Sequence, residues 1–333
     1  MIKSIIGGAK MCTAISYKAE DLLFGRNLDV SHRYGEKIII TPRNFTLSFR
    51  KCDAMTRHYS MIGIGIEHMG YPLYFDGVNE YGLCIAGLNF VGNAHYFTAE
   101  KGKINITPYE FIPYVLGRFK SVKEALGELG NLNLIDIPFS RDIPLAELHW
   151  MIADKSESVV IEQTKAGLRI YENKLGVLTN NPPFPFHKDN LSSYINLTSD
   201  LPDNRFSSNL SISPYSNGVG AFGLPGDLSS SSRFIRAVFY SQNSAKFDEK
   251  AGDVYQLFHI LSSVSQIDGA VRTADGYERT EYSAVIDPNS ATYYYRTYEN
   301  SEISAVKLCN EDQEKSILKS FPLKKSYEIT YQN

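Results

Sequence analysis

The sequence has few cysteines, no long hydrophobic run and no excess of basic residues. Four cysteines in 333 residues lie far apart without a CxxC pair, which argues against a disulfide framework or a cysteine zinc site. The apolar runs are far shorter than the roughly 20 residues needed to span a bilayer. A formal net charge of −3 disfavours nucleic acid as the main partner. The opening MIKSIIGGAK has too short an apolar core for an export signal. We therefore expect a cytoplasmic protein with neither nucleic-acid nor membrane partners.

Several catalytic motifs are also missing. The seven histidines form no HExxH or similar pair, and no GxSxG is present. His149 lies in an apolar segment and is expected to be a core residue. GVGAFG (218–223) resembles a dinucleotide-binding motif, but a Ser/Pro/Asn-rich loop precedes it instead of a strand. The sequence thus favours chemistry that needs no metal or organic cofactor.

The order of predicted elements is antiparallel strands, then helices, then further strands. Expected strands cover 11–17 and 21–26 as a hairpin, then 36–41, 45–50, 60–66, 82–90, 146–154, 158–164, 167–173, 176–180, 281–288, 292–299 and 302–308. Expected helices cover 107–119 with Thr107 as N-cap, 121–130 with a Ser121–Glu124 capping box, and about 230–243 and 252–265. Residues 181–217 are expected to form a long surface loop. This order predicts one α+β domain of stacked sheets with helices outside.

Cys12 follows Met11 at the start of the first strand and allows two interpretations. A free cysteine in a strand is usually a small buried hydrophobe. If residues 1–11 are absent, however, Cys12 carries a thiol nucleophile and an α-amine, and the amine can act as its general base. A peptide nitrogen is not basic, so the preceding residues would block that activity. Two routes lead to such a chain: translation that begins at Met11, which we favour, and cleavage of a leader at the Met11–Cys12 bond.

Seven segments together resemble one family, the choloylglycine hydrolases. They are MCTAISY, FGRNLD, YPLYFDGVNEYGLCIAGLNF, HWMIAD, VLTNNPPF, GLPGDLSSSSRF and YYYRTYEN. The family comprises bile salt hydrolases and penicillin V acylases of the N-terminal-nucleophile superfamily. The resemblance implies a four-layer αββα sandwich over residues 12–333, with two mainly antiparallel sheets. It also implies amide hydrolysis through a thioester, without a cofactor.

The resemblance assigns a role to each of six residues. Cys12 is the nucleophile, Arg26 lies beside the thiol, Asp29 holds the α-amino group, and Arg233 is a second arginine near the nucleophile. The Asn180 side chain and the Asn89 backbone N–H form the oxyanion hole. The neighbouring Asn181 leaves open which amide acts. Without the resemblance, these residues would be expected to be ordinary strand, turn and helix positions.

The same resemblance suggests a substrate. Bile salt hydrolases tend to carry Asn at the position of Asn89, whereas penicillin V acylases tend to carry Tyr. We therefore expect hydrolysis of glycine- and taurine-conjugated bile salts by a homo-oligomer, a tetramer by family habit. The alternatives are a penicillin V acylase or other N-acyl amide acylase and, from another class, an inactive ligand-binding protein that retains its leader.

Overall fold

A computed structural model describes residues 11–333, and the first ten residues of the expected leader lie outside this range. The strands are β1 (Met11–Lys18), β2 (Leu22–Val30), β3 (Lys37–Thr41), β4 (Met61–His68), β5 (Tyr71–Tyr74), β6 (Asp76–Asn79), β7 (Cys84–Asn89), β8 (Ile104–Ile106), β9 (Leu132–Leu134), β10 (Leu148–Ala153), β11 (Ser158–Thr164), β12 (Gly167–Glu172), β13 (Val177–Leu178), β14 (Val271–Thr273), β15 (Gly276–Asp287), β16 (Thr292–Thr297), β17 (Ser304–Lys307) and β18 (Lys319–Pro322). The helices are α1 (Phe111–Arg118), α2 (Val122–Leu129), α3 (Phe184–Asn190), α4 (Ser230–Asn243) and α5 (Lys250–Ser262).

Two large antiparallel sheets carry the fold. The first runs β13-β1-β2-β15-β16-β17, with β14 paired to β15, and the second runs β12-β11-β10-β7-β6-β4-β3-β18, with β5 paired to β4. A small separate sheet pairs β8 and β9 in parallel. Successive residues of a strand therefore point in turn towards the other sheet and towards a helix layer.

Helices cover the outer face of each sheet. Leu257 and Leu261 of α5 lie against Gly25 of β2, where an added Cβ would come within 3.0 Å of Leu257. On the other side of the molecule, Leu116 of α1 packs against Gly77 of β6. The layers are thus helices, first sheet, second sheet and helices, which confirms the predicted α+β sandwich. No helix among residues 11–333 is long and apolar enough to cross a membrane.

The N-terminal hairpin is confirmed, but its second strand is longer than predicted. Residues 22–30 form one continuous strand, and every residue in it is buried. Arg26 and Asp29 therefore lie inside β2, and not at a strand end or in a turn. Both faces of this strand are covered by protein, which explains why its polar residues do not mark the end of the strand.

Three other predictions were wrong. The helix expected from Thr107 begins at Phe111, because the Glu110 carboxylate accepts a hydrogen bond from the Thr107 N–H and closes a non-helical turn. Residues 45–50 form only an isolated bridge, from Leu47 to Met55. The loop expected over 181–217 contains α3, whose buried Phe184 anchors it to the core.

The remaining predicted helices and strands are confirmed within a few residues. The Ser121 hydroxyl caps α2 by accepting a hydrogen bond from the Glu124 N–H at 3.2 Å. His149 is fully buried on β10, as expected of a core residue. Within GVGAFG, residues 219–221 form a single 3₁₀ turn after a loop, which does not match a dinucleotide-binding turn.

Candidate active site

Cys12 and Arg26 meet between the two sheets. Cys12 pairs with Leu28 across the hairpin, and Arg26 pairs with Ala14, so all four residues share one face. A terminal nitrogen of Arg26 lies 3.4 Å from the Cys12 Sγ. The same nitrogen donates to the Gly87 carbonyl oxygen of β7 at 3.0 Å. The Cys12 sulfur is therefore in direct contact with a buried guanidinium.

Sequence reasoning missed Asp76, which binds the side of Arg26 that faces away from Cys12. The other terminal nitrogen of Arg26 donates to Asp76 Oδ2 at 2.9 Å. The Tyr282 hydroxyl donates to the same oxygen at 2.6 Å, and the Tyr293 hydroxyl donates to Asp76 Oδ1. All four side chains are buried. Asp76 and Tyr293 lie within YFDGV and YYYRT, yet only the tertiary structure brings them together with Arg26.

Asn180 contacts the nucleophile position through its side chain. The Cys12 backbone N–H donates to Asn180 Oδ1 at 2.8 Å, and Arg233 donates to the same oxygen at 2.8 Å. Because both partners are obligate donors, they fix the orientation of the amide. Its Nδ2 donates to the Asn89 carbonyl oxygen at 2.8 Å, so Asn180 connects β7 to β1.

The structure separates Asn180 from its neighbour. The Asn181 side chain points elsewhere and donates to the Val91 carbonyl oxygen at 2.6 Å. The Asn180 backbone is held on both sides. Its N–H donates to the Ser230 hydroxyl at 2.8 Å, and its carbonyl oxygen is 2.9 Å from His187 Nε2. Asn180 is thus the amide that belongs to the cluster around Cys12.

Arg233 reaches the cluster from the first turn of α4. The Ser229 hydroxyl caps this helix by accepting from the Ser232 N–H, which sets the position of the first turn. Arg233 donates to the Cys12 carbonyl oxygen at 2.6 Å and to the Thr13 hydroxyl at 2.7 Å. Burial lowers its pKa below the ordinary value, although the charge of Asp29 opposes this effect.

Asn89 lies at the end of β7, on the wall of the site. On the side of β7 that faces β10, the Phe90 N–H donates to the Glu147 carbonyl oxygen. On the opposite side, the Gly87 N–H donates to the Phe75 carbonyl oxygen. Since successive N–H groups of a strand point in opposite directions, the Asn89 N–H points away from β10. Gly87, Asn89 and Cys12 all line one pocket.

Asp29 lies near the same cluster but on the opposite face of β2. It is the cross-strand partner of Met11, and its Oδ1 accepts a hydrogen bond from the Thr280 hydroxyl at 2.6 Å. Its Oδ2 has no hydrogen-bond partner within residues 11–333. Burial raises the pKa of Asp29 to about 6, although Arg233 and Arg26 act in the other direction. Within residues 11–333, neither oxygen of this carboxylate accepts a hydrogen bond from a lysine or arginine.

A mainly apolar pocket opens above Cys12. Its cavity volume is about 110 Å³, and its mouth is open to solvent. Its walls include Leu28, Val30, Ile66, Leu73, Phe75 and Ile112, with Tyr34, Tyr74 and Tyr109 among the larger side chains. Sequence reasoning did not identify these lining residues, because they come from segments that lie far apart in the chain. Residues 11–333 contain no cluster of three or more His, Cys, Asp or Glu side chains suited to a metal ion.

Comparison with known proteins identifies the family. The model of the linear amide C–N hydrolases of the choloylglycine hydrolase family matches residues 12–321. The chain is 49% identical to a bile salt hydrolase/transferase of Lactiplantibacillus plantarum, over 94% of this chain and 97% of the relative. The chain belongs to the choloylglycine hydrolase family. A second relative in this family, a bile salt hydrolase/transferase of Clostridium perfringens, is 37% identical over 97% of this chain and 100% of its own length.

Solved structures of choloylglycine hydrolases agree with this assignment. A variant of the conjugated bile acid hydrolase from Clostridium perfringens superposes with a TM-score of 0.89 at 35% identity, covering 97% of this chain and 100% of that chain. A penicillin V acylase from Agrobacterium tumefaciens shares the fold, with a TM-score of 0.75 at 21% identity over 93% of this chain and 91% of that chain. The predicted family and the N-terminal-nucleophile fold are therefore confirmed, and the chain is an amide hydrolase of this type.

Proposed function

We propose that this protein hydrolyses the amide bond of glycine- and taurine-conjugated bile salts, with Cys12 as the nucleophile. The observation that carries the proposal is the position of the Cys12 sulfur. It lies at the base of an apolar pocket, 3.4 Å from a buried guanidinium nitrogen of Arg26. Relatives that share nearly the whole chain are named bile salt hydrolases or conjugated bile acid hydrolases.

The active form in this proposal begins at Cys12, so that its nitrogen is an amine. Met11 and Asp29 face each other across the hairpin, and loss of Met11 would leave its place on that face to the new amine. An ammonium has three N–H groups, of which one can keep the bond to Asn180 Oδ1. Asp29 Oδ2, which has no hydrogen-bond partner within residues 11–333, is a suitable acceptor for another. Asp29 would then hold the amine in place and neutralise its charge.

The first chemical step is attack of the Cys12 thiolate on the amide carbon. The carbonyl π electrons move to the oxygen, which the Asn180 side-chain amide and the Asn89 N–H stabilise as an oxyanion. Collapse of this intermediate breaks the C–N bond, and the leaving glycine or taurine nitrogen takes a proton from the Cys12 ammonium. The acyl group remains on the sulfur as a thioester.

The second step uses the same amine as a base. It takes a proton from a water molecule, and the resulting hydroxide attacks the thioester carbon. The C–S bond breaks, which restores the thiolate and releases the free bile acid. One group thus acts as acid and then as base, as a group with a reference pKa near 8 is suited to do.

The pocket supports an amphipathic substrate with a large apolar body. Leu28, Val30, Ile66 and Leu73 offer an aliphatic surface to a steroid, while the Arg26 side of the pocket is charged. Penicillin V also has an apolar acyl group, and the penicillin V acylase of the same fold makes it the second candidate substrate. A ligand-binding protein that keeps residues 1–11 remains the candidate from another class.

The experiment compares the mature protein with its Cys12→Ser variant on two substrates. We expect faster release of glycine from glycocholate than of phenoxyacetate from penicillin V. The Cys12→Ser variant should lose activity by about a thousandfold or more. Normal turnover by this variant would exclude Cys12 as the nucleophile, and a preference for penicillin V would favour the acylase. An inactive protein whose intact mass includes residues 1–11 would support the ligand-binding alternative.

The proposal includes a cytoplasmic homotetramer, on the basis of the family resemblance. Size-exclusion chromatography with light scattering tests the assembly state, because a tetramer of 37.4 kDa chains is readily separated from a monomer or dimer.

A further inference from the structure

Behind the contact between Cys12 and Arg26 lies a buried carboxylate with two tyrosine partners. Asp76 belongs to β6, in the second sheet, whereas Tyr282 and Tyr293 come from β15 and β16 in the first. Their side chains meet between the two sheets and are buried together with Arg26. The cluster therefore links the sheets directly beneath the pocket.

Three hydrogen bonds in this cluster are directed towards Asp76, and Arg26 also donates to the Tyr282 hydroxyl at 3.4 Å. Asp76 Oδ2 accepts from Arg26 at 2.9 Å and from the Tyr282 hydroxyl at 2.6 Å, and its Oδ1 accepts from the Tyr293 hydroxyl. Burial raises the pKa of both tyrosines well above the ordinary value, so their hydroxyls remain protonated donors. Three donors therefore converge on this one carboxylate.

The Arg26 guanidinium is shared between the Asp76 carboxylate and the Cys12 sulfur, each of which faces one of its terminal nitrogens. In the proposed mechanism, the carboxylate therefore competes with the attacking thiolate for the same cation. Hydrogen bonds from the tyrosines draw charge density away from the side of Asp76 that faces Arg26. More of the arginine charge then remains effective at the sulfur.

We propose that Asp76, Tyr282 and Tyr293 form a positioning unit that fixes Arg26 beside Cys12 and sets how strongly its charge stabilises the thiolate. The inference rests on the proposed role of Cys12 as nucleophile. Within residues 11–333, the hydrogen bond to the sulfur comes from Arg26 and from none of these three side chains, so they act through Arg26. Other charged or titratable groups that influence this region are Arg233, Asp29, Tyr34 and, in the mature protein, the α-amine of Cys12, and the test leaves all four unchanged.

The decisive variant is Tyr293→Phe, which removes one hydroxyl and retains the ring. We expect the Asp76 carboxylate to compete more strongly for Arg26, so that the thiolate forms at higher pH. The readout is the rate of Cys12 alkylation by iodoacetamide as a function of pH, followed by mass spectrometry of the peptide that contains Cys12. At pH 7 this rate should fall by about three- to tenfold, as the loss of a hydrogen bond to a charged group would produce.

Two further variants distinguish a charge effect from loss of structure. Tyr282→Phe should shift the pH profile of Cys12 alkylation to higher pH, as Tyr293→Phe does. Asp76→Asn keeps an acceptor for Arg26 but removes the competing charge, so its profile should move to lower pH. A purely structural role would not produce shifts of opposite sign.

Tyr295→Phe is the matched control. Tyr295 lies two residues along β16 on the same face, is also buried, and its hydroxyl accepts from the Lys324 N–H away from the cluster. Its alkylation profile should match that of the unaltered protein. Thermal unfolding of all variants checks that each is folded.

The proposal is overturned if folded Tyr293→Phe and Tyr282→Phe alkylate as the control does, or if Asp76→Asn moves the profile to higher pH. Because alkylation needs no substrate, this result is independent of the proposed function. If the variants show no shift in the pH profile of Cys12 alkylation but the unaltered protein hydrolyses glycocholate, only the positioning unit is rejected. Clear shifts in a protein that does not cleave glycocholate would reject only the proposed substrate.

Discussion

At the scale of single residues, Asn180 shows how completely one side chain can be oriented. Cys12 and Arg233 both donate to its Oδ1, and its Nδ2 donates to the Asn89 carbonyl oxygen. The amide group therefore cannot rotate without breaking three hydrogen bonds. A donor fixed in this way can stabilise a developing oxyanion without reorganising during the reaction.

Asn180→Ala should lower kcat for glycocholate by about 10²–10³, as removal of one oxyanion donor typically does. The matched control is Asn181→Ala, which removes the adjacent amide, bonded to Val91 outside the cluster. Its kcat should stay within about twofold of the unaltered value, since substitutions away from critical contacts have small effects. Steady-state kinetics on both variants measures the difference. Equal losses in the two variants would contradict the assignment.

At the scale of elements, an irregularity in β15 allows one strand to serve both sides of the site. Thr280 pairs with Asp29, but Tyr282 pairs with the adjacent Leu28, because the register shifts at the residue between them. In a regular strand, Thr280 and Tyr282 would share a face. The bulge instead directs Thr280 to Asp29 and Tyr282 to Asp76, on opposite faces of the sheet.

The close approach of β4 and β6 provides a test at the same scale. A Cβ on Gly63 would lie 2.0 Å from the Asp76 carbonyl oxygen, so Gly63→Ala must displace the strand that carries Asp76. We expect a loss of about 1–3 kcal/mol in the free energy of unfolding, as overpacking of a core produces, together with lower activity.

The control is Gly127→Ala, in the middle of α2, where an added Cβ meets nothing within 4 Å. It should raise the free energy of unfolding by about 0.5–1 kcal/mol, since alanine is favoured over glycine in a helix. Urea unfolding measures both variants. An unaltered stability of Gly63→Ala would show that the two strands can separate locally at little cost.

Local signals explain which elements were predictable from the sequence. The Ser121 cap on the Glu124 N–H acts within four residues, and the structure confirms it, although the Glu124 carboxylate accepts from the Lys120 N–H and not from that of Ser121. The helix start expected at Thr107 failed because Glu110 also bonds the distant Arg50 N–H, a tertiary contact that no local pattern reveals. The polar FGRNLD segment resembled a strand end, although it lies within β2 under two protein layers.

At the scale of the whole molecule, the stacking of two sheets creates the site. Cys12 and Arg26 come from the first sheet, whereas Asp76 and Gly87 come from the second. The family motifs identified Arg26, Asn180 and Arg233, which contact Cys12, because each lies in a short segment that resembles the family. Asp76, Tyr282 and Tyr293 became evident only when the sheets were brought face to face, since 206 or more residues separate Asp76 from either tyrosine.

The central claim is that the active protein carries a free amine on Cys12. The most direct measurement is the intact mass and N-terminal sequence of the purified protein, combined with its specific activity on glycocholate. We predict that active protein begins at Cys12 and that activity rises in proportion to the fraction of chains that do so. Full activity in a preparation whose chains all retain Met11 would contradict the account, because the Cys12 nitrogen would then be an amide unable to transfer the proton.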